Sequence, residues 1–121
     1  MGLSHSKAKS FKFAISGMKE AFNKEPNLRT HVLFTFGVIL AAYLLEFKAV
    51  EWALLIITIF LVLILELVNT AIESLVNLVS PEIRNEAKIA KDISAAVVLL
   101  GALLAAVIGR LLFVPKLLNL L

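Results

Sequence analysis

The sequence predicts an all-α membrane protein: an N-terminal amphipathic surface helix followed by three transmembrane helices, in a single membrane domain. Three observations predict it. Hydrophobic residues fill 60% of the 121 positions and charged residues only 17%, against roughly 45–50% and roughly 25% in soluble domains. Three apolar runs, each close to the length that crosses a bilayer, occupy most of the chain from Leu28 onward. The basic residues gather in the segments that one side of a membrane would hold.

The first element is a helix over about residues 5–25. Phe11, Ile15, Met18 and Phe22 recur at helical spacing and form one apolar stripe, while Lys12, Ser16, Lys19 and Asn23 lie elsewhere around it. An apolar stripe with a basic polar side suits a helix lying in the membrane interface. The segment lacks a short basic stretch leading into an apolar core and a small-residue cut site, so it is not expected to be a cleaved signal.

Pro26 fits the first turn of a second helix, where its missing N–H costs little. That helix is expected over about residues 28–46, apolar except for Arg29 and His31 at its start. Glu46, Lys48 and Glu51 then mark a short turn in water. The third helix is expected over about residues 50–79, near 45 Å long at about 1.5 Å per residue. It exceeds the hydrocarbon thickness, so its far end should emerge at headgroup depth. Ser80-Pro81 ends it, and a polar stretch from Glu82 to Asp92 follows. The last helix is expected over about residues 88–113, with Arg110, Pro115 and Lys116 marking its exit.

Orientation follows from Lys and Arg. Six precede or open the first span, and Arg84, Lys88 and Lys91 follow the second, against Lys48, Arg110 and Lys116 on the other side. Nine against three places the N-terminus and the 80–92 segment in the cytoplasm of a multi-pass cell-membrane protein. The N-terminal basic cluster suits an anionic membrane surface. No aromatic-interleaved basic patch accompanies it, so nucleic acid is not expected as a partner. The chain has no cysteine, which excludes thiolate metal sites, disulfides and cysteine nucleophiles.

One stretch is out of keeping with its surroundings. Taking Glu66 as the origin, Asn69 lies about 60° to one side, Glu73 about 20° to the same side and Asn77 about 20° to the other. Two carboxylates and two amides on one stripe are costly near hydrocarbon and need a metal ion, a cationic partner or a proton. Glu25 stands at the same membrane level before the first span, and Lys91 and Asp92 open the last one. Glu25 and Glu73 together suit Mg²⁺, with phosphate oxygens and water completing the shell. Glu66 lies about 10 Å deeper than Glu73 along the helix. A poorly solvated carboxylate at that depth suits a general base for a hydroxyl in the membrane interface. Lys91 suits phosphate charge. Spacing alone leaves other readings open: a helix-pairing hydrogen bond, ordinary solvated flanks, a small lytic or scaffold protein, or a non-enzymatic membrane oligomer that conducts protons or ions through the Glu66 face. No Walker loop, kinase glycine loop or His-Arg-Asp motif occurs.

Two motifs carry a resemblance. Glu66-Leu-Val-Asn-Thr-Ala-Ile-Glu73 and Ala90-Lys-Asp-Ile-Ser-Ala-Ala-Val97, with the Gly17 helix and Glu25 before the first span, resemble the prokaryotic diacylglycerol kinase family, which includes undecaprenol kinases. The likeness covers nearly the whole chain. It implies a homotrimer with active sites shared between subunits, transferring the γ-phosphoryl group of ATP, with Mg²⁺, to a lipid hydroxyl. It implies that Glu66 is the catalytic base, that Glu25 and Glu73 are metal ligands, and that Asn69, Lys91 and Asp92 belong to the same site. Glu82, Ile83 and Arg84 match a loop that contacts nucleotide in the family. The region around Trp52 and the ending from Val107 to Lys116 are similar to Gram-positive members, which leans the expected acceptor toward undecaprenol, with diacylglycerol close behind. Two positions depart from the family pattern. Asn77 stands where an aspartate is usual, and Ser6 where an arginine is often found. Lys7 or Lys9 could stand in for that arginine, without its two-point grip on phosphate.

Overall fold

The computed structural model describes residues 6–82 and 84–121, and these form four helices and no strand. Helix α1 spans Lys7–Lys24, α2 Pro26–Leu44, α3 Ala49–Val79 and α4 Asn85–Leu118. The last three are each long and apolar enough to cross a membrane. The expected all-α fold with three helices of membrane-crossing length holds.

Helix α1 begins at Ser6, whose Oγ accepts the Lys9 backbone N–H across 3.3 Å. The serine that departs from the family's arginine therefore serves as a helix cap. Phe11, Ile15, Met18 and Phe22 are exposed, while Ala21 is buried against the rest of the chain. The stripe meant for the membrane interface is thus left uncovered by protein, as an interfacial helix requires.

Glu25 is the single non-helical residue at the α1–α2 elbow. Arg29 fixes the elbow: its Nη1 donates to the Phe22 carbonyl at 3.0 Å and the Asn23 carbonyl at 2.9 Å. A guanidinium on the carbonyl end of a helix satisfies orphan acceptors and complements the helix dipole.

Helix α2 ends in a Schellman turn. Phe47 N–H bonds to the Ala42 carbonyl and Glu46 N–H to the Tyr43 carbonyl, both at 3.1 Å. Glu46 takes φ 56°, the left-handed conformation that glycine usually supplies at this place. Lys48 N–H then donates to Glu51 Oε1 at 2.9 Å and starts α3.

Helices α3 and α4 pack along their length as an antiparallel pair, whereas α2 touches α3 more sparsely. Gly101 allows the close approach: a Cβ there would sit 2.6 Å from Leu65 Cδ1. At the end away from the candidate site, Phe47, Leu55 and Leu112 are buried, with Trp52 and Phe113 against them. Lys116 Nζ and Glu51 Oε1 pair there at 3.0 Å.

Helix α4 differs from expectation at both ends. Residues 85–87 were expected to belong to the polar connection before a helix starting at about residue 88. They are helical because their burial follows the helical period: Ala87, Ala90 and Lys91 are half-buried and Ser94 is buried, so one stripe faces the protein and the charges face outward. The connection shrinks to 80–84. At the other end the helix continues through Pro115 to Leu118. Proline removes one backbone donor, but burial of Leu112 and the Lys116–Glu51 pair hold the segment in register.

Candidate active site

The polar residues of α3 are brought together with α2 and α4 at one end of the bundle. Glu66 is buried, with 6% of its surface accessible. Its Oε1 lies 2.6 Å from His31 Nδ1 of α2. The contact is close, yet neither His31 Nδ1 nor Glu66 Oε2 has a hydrogen-bond partner. Thr70 Oγ donates to the Glu66 carbonyl at 2.9 Å, which keeps that hydroxyl off the carboxylate.

One turn toward the helix end, Ser94 Oγ of α4 donates to Asn69 Oδ1 at 2.6 Å, and Asn69 Nδ2 donates to Glu73 Oε1 at 3.3 Å. The three form a chain from a buried hydroxyl to a half-buried carboxylate. The amide orientation is set at both ends, since only a carbonyl oxygen accepts from serine and only the NH₂ group donates to a carboxylate.

Glu25 joins this end through its neighbours. Lys24 Nζ donates to Ser74 Oγ at 2.8 Å. Seven residues separate Lys24 from His31 and eight separate Ser74 from Glu66, so the chain runs antiparallel to α3 between these two contacts. The Glu25 side chain makes no capping bond to α2 and stays available. Among the described residues no group of three His, Cys, Asp or Glu side chains converges to hold a metal ion alone. A pair of carboxylates that leaves the remaining positions to phosphate and water is the donor set typical of Mg²⁺.

The remaining expected residues lie on the first turns of α4 and the connection before it. Lys88 Nζ pairs with Asp92 Oδ2 at 2.7 Å, both side chains well exposed. Lys91 is half-buried. Glu82 and Arg84 approach to 3.8 Å and line an open groove of about 570 Å³ at the α3–α4 corner, with Val79, Ser80 and Glu86. A second hollow, on α1 between Ile15, Met18 and Phe22, belongs to the membrane-facing stripe and carries none of these groups. Ile83 lies outside the described residues. Asn77 is exposed and makes no side-chain hydrogen bond among the described residues.

A profile of the prokaryotic diacylglycerol kinase family matches residues 12–113, most of the chain and every element of this site. The chain belongs to the prokaryotic diacylglycerol kinase family. It is similar to a diacylglycerol kinase of Synechocystis sp., 46% identical over 112 residues that cover 92% of this chain and 64% of that protein. The likeness thus spans a little under two thirds of that relative's length. An undecaprenol kinase of Bacillus subtilis is 37% identical over 109 residues, 90% of this chain and 89% of its own. A diacylglycerol kinase of Helicobacter pylori is 36% identical over 115 residues, 88% of this chain and 89% of its own.

Membership in this family makes the chain a membrane lipid kinase. Two residues of the polar cluster had not been singled out as site residues. His31 was noted only as a polar residue at the start of a span. Its signal was its place six residues beyond Glu25, as Glu66 lies seven before Glu73 on the antiparallel helix. Ser94 sits inside the second motif, but a lone serine in an apolar helix usually bonds back to its own backbone. Its partner became visible only with the α3–α4 packing.

Proposed function

We propose that this lipid kinase transfers the γ-phosphoryl group of ATP, with Mg²⁺, to the hydroxyl of undecaprenol or diacylglycerol at the cytoplasmic face of the cell membrane. The observation that carries the reading is the Glu66 carboxylate, buried in a membrane helix with Oε2 unpartnered. A buried carboxylate oxygen without a partner is costly, and such a group is suited to receive a proton from a substrate hydroxyl. Glu66 is the catalytic base in this reading.

Glu25 and Glu73 would hold the metal, each adjacent in sequence to a partner of the Lys24–Ser74 contact. Bound there, Mg²⁺ would neutralise charge on the transferring phosphoryl group. Asn69 aims the Glu73 carboxylate, itself aimed by Ser94. Lys91 contributes positive charge toward phosphate, since it forms no ion pair among the described residues. Asp92 completes the site from the same turn. The groove beside Glu82 and Arg84 would receive the nucleotide. Lys24, Arg29, Arg84, Lys88 and Lys91 all cluster at this end, which the positive-inside rule assigns to the cytoplasm, where ATP is.

The homotrimer with shared sites is part of this proposal. Many large apolar side chains of α2, α3 and α4 are exposed and are free to meet lipid or neighbouring copies. The relatives carry both acceptor names, so the acceptor is decided by experiment. Purified protein is given a polyprenol and a diacylglycerol separately with labelled ATP. Phosphorylation of one and not the other names the acceptor. No Mg²⁺-dependent transfer to either, or ATP-independent proton flux in liposomes, would overturn the proposal.

A further inference from the structure

Among the described residues, His31 is the titratable side chain in contact with Glu66. Neither atom involved is incidental. His31 Nδ1 is buried, yet the side chain as a whole is 37% exposed, while that of Glu66 is 8% exposed. The ring therefore reaches from the enclosed carboxylate to the outside of the chain.

We propose that His31 is a proton-relay residue for Glu66, taking from it the proton removed from the lipid hydroxyl. The inference rests on the reading of Glu66 as base. As the lipid oxygen forms its bond to the γ-phosphorus, the bond from that phosphorus to the β,γ-bridging oxygen breaks, and ADP leaves with the electron pair. The hydroxyl proton passes to Glu66. A protonated Glu66 must be reset before the next turnover, and its burial denies it direct exchange with water. His31 with its proton on Nε2 accepts the Glu66 proton at Nδ1 across the 2.6 Å contact and gives its Nε2 proton to water, and return of the ring proton from Nδ1 to Nε2 through water closes the cycle. Imidazole suits this because its two nitrogens take up and release protons at opposite edges near neutral pH.

The other charged groups on the surrounding elements are otherwise engaged or stand further along the helices. On α2, Arg29 is bound to the α1 carbonyls. Lys24 of α1 donates to Ser74. On α3, Glu73 is held by Asn69. Asp92 of α4 is paired with Lys88. None of them shares the contact that His31 makes.

The competing role is structural, because α2 touches α3 sparsely and the His31–Glu66 pair also ties them together. Asparagine distinguishes the two. Its amide places a donor near the Nδ1 position and keeps the tie, but it cannot carry a proton. Purified His31→Asn, His31→Gly and Glu66→Gln proteins are assayed with labelled ATP and both lipids, with helix content and oligomer size measured alongside. Relay predicts kcat lowered about tenfold to hundredfold in both His31 variants, with KM for ATP within about twofold. Added imidazole should restore turnover to His31→Gly and leave His31→Asn and Glu66→Gln unchanged. A normal kcat in His31→Asn overturns the relay, as does a folded His31→Gly protein that ignores imidazole. If His31→Gly does not fold, the kcat of His31→Asn decides alone. An active Glu66→Gln protein removes the base reading itself, whereas an inactive one beside normal His31 variants removes only the relay.

Discussion

Ser94 Oγ donates to Asn69 Oδ1 across 2.6 Å, so a hydroxyl of α4 sets which way an amide of α3 points. The consequence reaches Glu73, because the same amide donates its N–H to that carboxylate. Ser94→Ala should leave the Asn69 carbonyl unsatisfied at a cost of about 1–3 kcal/mol. The freed amide can rotate and release Glu73. The expected result is a few-fold rise in the Mg²⁺ concentration needed for half-maximal activity, with the ATP requirement at saturating Mg²⁺ little changed. An unchanged Mg²⁺ titration would separate Ser94 from the Glu73 carboxylate.

Glu66→Gln should remove turnover by roughly 10²-fold to 10⁴-fold, since an amide of the same shape accepts no proton. Burial of the position is not an obstacle to folding, because an uncharged side chain costs less to enclose than a carboxylate. Thermal unfolding in detergent should therefore stay near the wild-type midpoint. Near-normal phosphorylation by that variant would sink the assignment.

The architecture was legible because hydropathy and charge speak directly about membranes. The spans, the surface helix and the long reach of α3 all followed from apolar runs and from where charges interrupt them. Glu66, Asn69 and Glu73 were legible as one face because α3 is regular enough for a helical wheel to hold. Wheels fail across helices. Nothing in the local pattern says that His31 of α2 meets Glu66, or that Ser94 of α4 meets Asn69, since both depend on helix register. Asn77 shows the opposite failure. It shares the angular face of Glu66, but it lies three turns further along, where it is exposed. Polarity also misled at residues 85–87, where the outer side of a helix looked like a loop.

Gly101 marks a close approach of α3 and α4, next to the helix turn that carries Glu66. An added Cβ would meet the end of Leu65, 2.6 Å away. Leu65 can turn aside for a single methyl group, so Gly101→Ala should be mild and offset in part by better helix propensity. Gly101→Val should force the helices apart at a cost of about 1–3 kcal/mol. Since Leu65 precedes Glu66, activity should fall more steeply than stability across this series. Equal melting midpoints for the glycine and valine proteins would contradict the close approach.

Glu46 offers a gain rather than a loss. It occupies the C′ position of the Schellman turn after α2 with φ 56°, where a Cβ crowds the carbonyl oxygen at about 1–2 kcal/mol. Its carboxylate serves no recorded ion pair among the described residues, so its removal forfeits little. Glycine adopts this conformation freely but loses more backbone freedom on folding. The two effects leave Glu46→Gly more stable by about 0.5–1 kcal/mol. Because the turn lies at the opposite end of the bundle from Glu66, kcat and the Mg²⁺ requirement should both stay at wild-type values. A raised midpoint with unaltered kinetics is the expected outcome, and a lowered one would mean that the Glu46 side chain holds the turn by a contact outside the backbone bonds to Ala42 and Tyr43.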